Sequence, residues 1–181
     1  MEAVLSAGQT QPVTLTAEEL CRRYSASVCR FAAIVASNTG EAEDLAQDAL
    51  LRAIRAIDSY DPRRGTPEAW LWRIVVNASR DAARRRQRMG WLIDRIGLIT
   101  QRETDSVETL ALERLRDADL VAHLRRLPER DRALLALRYG LGLDTEEAGQ
   151  AVGLSAESAG KAIRRALARL RARLEVGFRE P

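Results

Sequence analysis

The chain has 181 residues, which is enough for one ordinary domain or two small ones that each bury a core. Leu, Ala, Val and Ile supply most of the apolar content and β-branched runs are short, so an all-helical class is favoured. The net charge is only +3, but the charges are grouped: residues 41–48 hold four acids and no base, and residues 80–88 hold five arginines and one acid. This grouping predicts contacts with polyanions and with one basic partner.

Several functional classes are excluded by what the sequence lacks. It has no apolar core typical of a signal peptide and no apolar run of about 18 residues, so we expect a soluble, cytoplasmic protein without membrane insertion. Cys21 and Cys29 are eight positions apart in one predicted helix, about 12 Å, which is too far for a disulfide. With one distant histidine, His123, neither a metal site nor a cofactor is expected. No phosphate-binding, dinucleotide-binding or hydrolase motif is present, so we expect no catalysis.

The first half of the chain predicts a bundle of three helices after a flexible tail over residues 1–15. Thr16 and Glu19 form a capping box that opens a helix to about Ser37. A second helix, with a clear 3.6-residue apolar period, is predicted from about Glu41 to Tyr60.

A third helix is predicted to begin at Pro67, with Thr66 as its cap, and to end in the arginine run. The bundle therefore spans residues 16–88. Residues 89–116 are uneven in composition and predict a linker with some helical content, particularly over residues 107–116.

The second domain is predicted over residues 117–181 and contains a helix-turn-helix. Asp144 and Glu147 form a capping box, Gly153 stops the short helix that follows, and Ser155 can cap a longer basic helix. A short helix, a tight turn and a basic helix are typical of a motif that places its last helix in the DNA major groove. An ordinary helical hairpin is the alternative.

Two further groups of residues suggest binding surfaces in the first half. Asp44, Gln47 and Asp48 share one helical face, which can dock a basic partner; from the residues alone, a solvated acidic face near a helix N-terminus is the simpler alternative. The stretch 60–80 concentrates aromatic side chains and arginines, a combination that suits unstacked bases and single-stranded backbone. The alternative here is that Trp70 or Trp72 belongs to the core.

These motifs, in this order, resemble the extracytoplasmic-function (ECF) class of bacterial sigma factors. The resemblance rests on the sequence AEDLAQD over residues 42–48, on WLWRIVVN over residues 70–77, and on the helix-turn-helix with its Leu-Ser turn. It covers about residues 16–88 and 117–176. It implies a sigma region 2-like domain followed by a sigma region 4-like domain.

The resemblance also implies partners and site residues. Core RNA polymerase would be bound through its β′ clamp helices and β flap, with Asp44, Gln47 and Asp48 as contacts on this chain. An anti-sigma factor would regulate the protein. The −10 promoter element would be contacted by Ser59, Tyr60, Asp61, Arg63, Arg64, Trp72, Arg73, Asn77, Arg80 and Arg84, and the −35 element by Ser158, Lys161, Arg164 and Arg165.

The recognition helix departs from the family pattern, since Gly160 stands where a basic residue is usual and Ala162 where an arginine is usual. We therefore expect modest −35 selectivity. The main alternative is a conventional helix-turn-helix regulator whose first bundle serves for dimerisation or sensing. An adaptor that binds polymerase or a sigma factor and has lost DNA recognition is a weaker one.

Overall fold

The computed structural model describes residues 15–96 and 118–177, and these ranges contain helices and no strand. The α-helices are α1 (Ala17–Val35), α2 (Thr39–Arg55), α3 (Pro67–Ile96), α4 (Ala118–Arg125), α5 (Glu129–Leu135), α6 (Thr145–Val152) and α7 (Ala156–Gly177). The predicted tail up to residue 14, and residues 97–117 of the predicted linker and domain start, lie outside the described residues.

The capping signals of the first half form as the sequence predicts. The Thr16 side chain accepts a hydrogen bond from the Glu19 amide at 3.2 Å, which completes the capping box at the start of α1. The Thr66 hydroxyl accepts from the Ala69 amide at 3.2 Å, with Pro67 as the first residue of α3. These caps fix where two of the three helices of the first bundle begin.

Two helix boundaries differ from the prediction. Helix α2 begins at Thr39 and ends at Arg55, and Ile57–Ser59 forms a separate 3-10 turn instead of continuing the helix to Tyr60. Helix α3 does not end in the arginine run but continues to Ile96, so the predicted linker begins inside a helix of 30 residues, about 45 Å long.

The core of the first half lies where α1, α2 and α3 meet. Leu20, Phe31, Leu71 and Val75 are fully buried there. The rings of Phe31 and Trp72 are 5.8 Å apart and tilted by 50°, a favourable aromatic arrangement. This packing fixes the rotation of α3 and hence which of its side chains reach the surface.

Helices α6 and α7 form the predicted helix-turn-helix. The Asp144 side chain accepts from the Glu147 amide at 2.8 Å in a capping box, and Gly153 ends α6 with a positive φ of 76°. The Ser155 hydroxyl accepts from the Ser158 amide at 3.3 Å at the start of α7.

A close approach of α6 to α7 explains why a glycine, Gly149, lies inside a helix of this motif. Gly149 is buried in α6, and a Cβ atom added there would lie 2.8 Å from the Cβ of Ala159 and 3.1 Å from the carbonyl oxygen of Leu154. Real Cβ atoms do not approach so closely, so glycine at 149 is what lets the two helices meet. Gly160 is different, because an added Cβ would meet only the ends of Arg164 and Thr145, at 3.6 and 3.7 Å.

The two halves pack against each other, and one hydrophobic core runs through both. Its members extend from Leu20 and Val35 in α1 to Leu134 in α5 and Val152 in α6. None of the helices in the described part of the chain is long and apolar enough to cross a membrane.

The two glycines provide a matched pair for a stability test. We expect Gly149→Ala to lower the free energy of unfolding by about 1–3 kcal/mol, because the added methyl group overlaps Ala159. Gly160→Ala should raise it, by up to about 1 kcal/mol, because alanine favours the helix and the space is open. Urea denaturation of both variants measures this, and a stabilised Gly149→Ala variant would show that α6 and α7 are further apart than described.

Candidate nucleic-acid interface

Helix α3 carries a stripe of polar side chains along one side. Arg73, Asn77, Arg80 and Arg84 follow one another at intervals of four, three and four residues, which places them on the same side of a helix. Three of them are exposed and Arg80 is half-buried. The stripe lies roughly opposite Leu71 and Val75, so it faces solvent because those residues are buried. Such a row of guanidinium groups and one amide suits a nucleic-acid backbone with a base beside it.

Arg80, a member of this stripe, also makes a hydrogen bond to the second half of the chain. Its Nη1 donates to the Oδ1 atom of Asn77 at 3.4 Å, and its Nη2 donates to the carbonyl oxygen of Val152 at 2.7 Å. Val152 is the last residue of α6. The stripe and the helix-turn-helix are therefore joined by a direct hydrogen bond.

The loop before α3 is held in shape by its own polar groups. The Asp61 carboxylate accepts from the Arg63 backbone amide and from its guanidinium, each at 3.0 Å, and these bonds lower the pKa of Asp61. The Tyr60 hydroxyl donates to the carbonyl oxygen of Gly65 at 3.2 Å, and the Tyr60 ring packs against that of Trp70. Ser59 and Arg64 are exposed in the same loop. A loop ordered in this way loses little further entropy when a ligand binds.

The acidic face of α2 is only partly available to a partner, because one of its three residues is already paired within the protein. Asp44 and Gln47 are exposed, as a docking face requires. Asp48 is instead half-buried and paired with Arg52, whose Nε and Nη2 lie 3.0 and 2.9 Å from its two carboxylate oxygens. Asp44 and Gln47 are thus better placed than Asp48 to contact a partner.

No sequence pattern predicts the interaction that joins this face to α3. Arg52 also donates from Nη1 to Asp81 at 2.7 Å, and this bond lowers the pKa of the Asp81 carboxyl. Arg85 lies 3.7 Å from Asp48. The pairing of Asp48 with Arg52 could have been found from its four-residue spacing. The link to Asp81 joins residues 29 positions apart, so it depends on how α2 and α3 pack.

Charged groups also lie between the two halves. Arg86 pairs with Glu41 at 2.7 Å, and Glu129 of α5 lies beside this pair. Burial raises the pKa of Glu129 even though Arg132, Arg80 and Arg86 act to lower it. Arg132 is 4% exposed, and its Nη1 donates to the carbonyl oxygen of Arg125. Sequence patterns did not point to this cluster either.

The recognition helix α7 presents a basic face. Ser158, Lys161, Arg164 and Arg165 are all exposed, as predicted for groove-reading residues. Ala162 is 7% exposed and belongs to the core, so its replacement of the usual arginine removes no side chain from this face. Of the two departures in this helix, only Gly160 lies where a side chain could have reached DNA.

Both halves of the chain match known families. Residues 20–89 match Sigma-70 region 2, and residues 118–170 match Sigma-70, region 4. The ECF RNA polymerase sigma factor EcfG of Rhodopseudomonas palustris is 31% identical over 155 residues, which are 83% of this chain and 80% of that protein. The chain belongs to the ECF class of sigma factors. A conventional helix-turn-helix regulator does not account for the region 2 match.

Other relatives and solved structures agree with this membership. The ECF RNA polymerase sigma factor SigE of Mycolicibacterium smegmatis is 33% identical over 171 residues; the match covers 93% of this chain but 65% of that protein. CnrH, solved in complex with the cytosolic domain of CnrY, has a TM-score of 0.65 at 25% identity, covering 88% of each chain. RpoE of Bartonella quintana, solved with the anti-sigma factor NepR, has a TM-score of 0.63 at 25% identity, covering 88% of this chain and 96% of that one.

One residue predicted to contact DNA belongs instead to the core of this ECF sigma factor. Trp72 is 2% exposed and packs on Phe31, so its side chain cannot reach a ligand in this structure. Trp70 is buried as well. The two tryptophans are two positions apart at the start of α3, where α1 covers one and Tyr60 packs against the other. Their concentration near arginines suggested base stacking, but both serve the core.

We therefore expect Trp72→Ala to lower the free energy of unfolding by about 3–5 kcal/mol, as removal of a buried aromatic ring does. Its exposed neighbour Arg73 serves as the control, and Arg73→Ala should change stability by about 0.5 kcal/mol or less. Denaturant titration followed by circular dichroism measures both. Equal, small effects for the two variants would mean that Trp72 is not part of the core.

Proposed function

We propose that this ECF sigma factor binds core RNA polymerase and directs it to promoters, reading the −10 element with its first half and the −35 element with its second. The observation that carries the proposal is the stripe on α3 formed by Arg73, Asn77, Arg80 and Arg84, within the part of the chain that matches Sigma-70 region 2. The chain acts by binding, and the polymerase performs the chemistry. Because core polymerase and the chromosome are in the cytoplasm, the proposal places the protein there.

The −10 element would be held by the loop and the stripe together. Asn77 offers an amide that can donate to and accept from the edge of an unstacked base, and the exposed loop around Arg63 and Arg64 lies before the same helix. Arg73, Arg80 and Arg84 would hold phosphates of the strand and of the adjoining duplex. Arg63 donates hydrogen bonds to Asp61 that keep this loop ordered, and this order supports a role of the loop in DNA binding.

The −35 element would be read by the exposed face of α7. Lys161 and Arg165 are one turn apart, and their charges can meet guanine edges or phosphates. Because Gly160 offers no side chain, fewer base contacts are available than in the usual family pattern. Modest −35 selectivity, with the −10 element dominating promoter choice, therefore remains our expectation.

Core polymerase would dock on α2 through Asp44 and Gln47, with Asp48 acting mainly through its pairing with Arg52. The polymerase surfaces would be the β′ clamp helices for this half and the β flap for the second half. An anti-sigma factor is also proposed as a partner, since the two solved relatives are bound to the cytosolic domain of CnrY and to the anti-sigma factor NepR.

Run-off transcription with purified core polymerase and a library of promoters tests this function. The wild-type chain should produce transcripts that core polymerase alone does not. Asp44→Arg should weaken binding to core polymerase by roughly tenfold, because it reverses a charge on the docking face. Glu18→Arg makes the same change at an exposed acid near the start of α1 and should leave binding unchanged.

Two outcomes would contradict the proposal. If the wild-type chain binds core polymerase but yields no transcript from any library member, it does not direct the polymerase to promoters. If Asp44→Arg and Glu18→Arg bind core polymerase with equal affinity and both have normal helical content, the docking face does not include Asp44.

A further inference from the structure

The arginine run of α3 contains one acid, and this acid lies beside the stripe proposed to hold DNA. Asp81 stands directly after Arg80, and its side chain is half-buried. Its Oδ1 atom lies 3.7 Å from Nη1 of Arg84, about one turn further along the helix. A carboxylate without another partner would repel phosphates here and would compete with them for the Arg84 guanidinium. Phosphate binding by the stripe therefore requires that some other group neutralise Asp81.

The group that neutralises Asp81 comes from the neighbouring helix α2. Nη1 of Arg52 donates to Oδ2 of Asp81 at 2.7 Å, whereas Arg84 stays at 3.7 Å. The hydrogen bond from Arg52 does most to lower the pKa of the Asp81 carboxyl, and the charges of Arg84 and Arg85 contribute less. Arg52 is thus the main partner of this carboxylate.

Asp48 holds Arg52 in the orientation that this contact requires. The Nε atom of Arg52 donates to Oδ1 of Asp48 at 3.0 Å, and its Nη2 atom lies 2.9 Å from Oδ2 of the same carboxylate. This contact leaves Nη1 of Arg52 for Asp81. A guanidinium can bridge two carboxylates in this way because its donors have a fixed, planar arrangement, which the ammonium group of a lysine lacks.

Arg84 remains available to a ligand because Asp81 is already engaged. The Arg84 side chain is 70% exposed, and its 3.7 Å separation from Asp81 is longer than a hydrogen bond. An exposed ion pair of this length is weak, so a phosphate can replace it at little cost. Without Arg52, Asp81 would draw Arg84 into a shorter ion pair, and a phosphate would have to break that pair before it could bind.

We propose that Arg52 is a positioning residue for promoter binding, which occupies Asp81 and so keeps Arg84 free for a DNA phosphate. The proposal rests on the function proposed above, and it adds a residue of α2 to the −10 surface of α3. Arg52 acts through Asp81 and does not itself have to touch DNA. Asp48 takes part as the group that orients Arg52, so this acid affects DNA binding apart from any contact with polymerase.

The salt dependence of promoter binding tests this role, because the slope of log affinity against log salt concentration reports how many phosphates the protein neutralises. The protein is core polymerase saturated with the full chain. The DNA is a fluorescent fragment of the promoter that gives the most transcript in the run-off library. Fluorescence anisotropy measures its binding between about 50 and 200 mM KCl.

Arg52→Gln should bind this fragment several-fold more weakly than the wild type, with a slope shallower by about 1, as expected for the loss of one phosphate contact. Arg84→Gln should cause the same change. The double variant Arg52→Gln/Arg84→Gln should bind no more weakly than Arg84→Gln alone, because Arg52 acts only through Arg84.

Removal of the acid should rescue the first variant. Arg52→Gln/Asp81→Asn should recover the wild-type affinity and slope, since no carboxylate is left to hold Arg84. A fold that needed the bridge between α2 and α3 would stay defective in this double variant, and circular dichroism checks the helical content of each protein. Arg55→Gln is the matched control, because it removes an exposed arginine from the same helix and should leave the slope unchanged.

The outcomes separate this inference from the function itself. If no library member gives a transcript, the proposed function fails and the inference fails with it. If transcripts form but Arg52→Gln and Arg55→Gln weaken promoter binding equally, Arg52 contributes only general positive charge and the inference alone fails. Additive losses in Arg52→Gln/Arg84→Gln, or no recovery in Arg52→Gln/Asp81→Asn, overturn it as well.

Discussion

The packing of Trp72 on Phe31 joins α1 to α3 at the centre of the first bundle, with their ring centres 5.8 Å apart. Together with the burial of Leu71 and Val75, it sets the rotation of α3 about its own axis. Successive residues of a helix differ by about 100° in direction, so a rotation of that size would turn Arg73, Asn77, Arg80 and Arg84 away from solvent. The proposed −10 surface thus depends on apolar contacts on the far side of the same helix.

Polar contacts then hold the acidic face of α2 in position relative to α3. Arg52 bridges Asp48 of α2 and Asp81 of α3, which fixes the acidic docking face relative to the stripe. Each of these pairs is partly exposed, and such pairs are individually weak. Their value lies in geometry, since a bridged arginine holds two helices in one register. The proposed polymerase-binding and DNA-binding surfaces of the first half are in this way held in one arrangement by Arg52.

How far the sequence predicts this molecule depends on how local each feature is. The caps at Thr16, Thr66 and Asp144 are confirmed because a cap involves residues three positions apart. The predicted ends of α2 and α3 are wrong by five residues or more, because packing decides where these helices end, although Gly97 directly follows the last residue of α3.

The same distinction between local and long-range features applies to the candidate site. The stripe on α3 and the exposed face of α7 follow from helical periodicity, which sequence supplies. The sequence pattern predicts that Trp72 contacts DNA and that Ala162 replaces a usual arginine of the recognition helix, but both are buried, and their burial depends on contacts with α1 and with the rest of the second half. The bond from Arg80 to Val152 spans 72 positions, and no local pattern could indicate it.

The contact between α6 and α7 also constrains how the helix-turn-helix can change over evolution. With only 2.8 Å between Ala159 and a methyl group at 149, a side chain at one position is tolerated better when the other position is glycine. The two positions are therefore epistatic, and the order of substitutions matters. A lineage that acquires alanine at 149 must first pass through glycine at 159, or accept a wider helix pair and with it a different angle of α7.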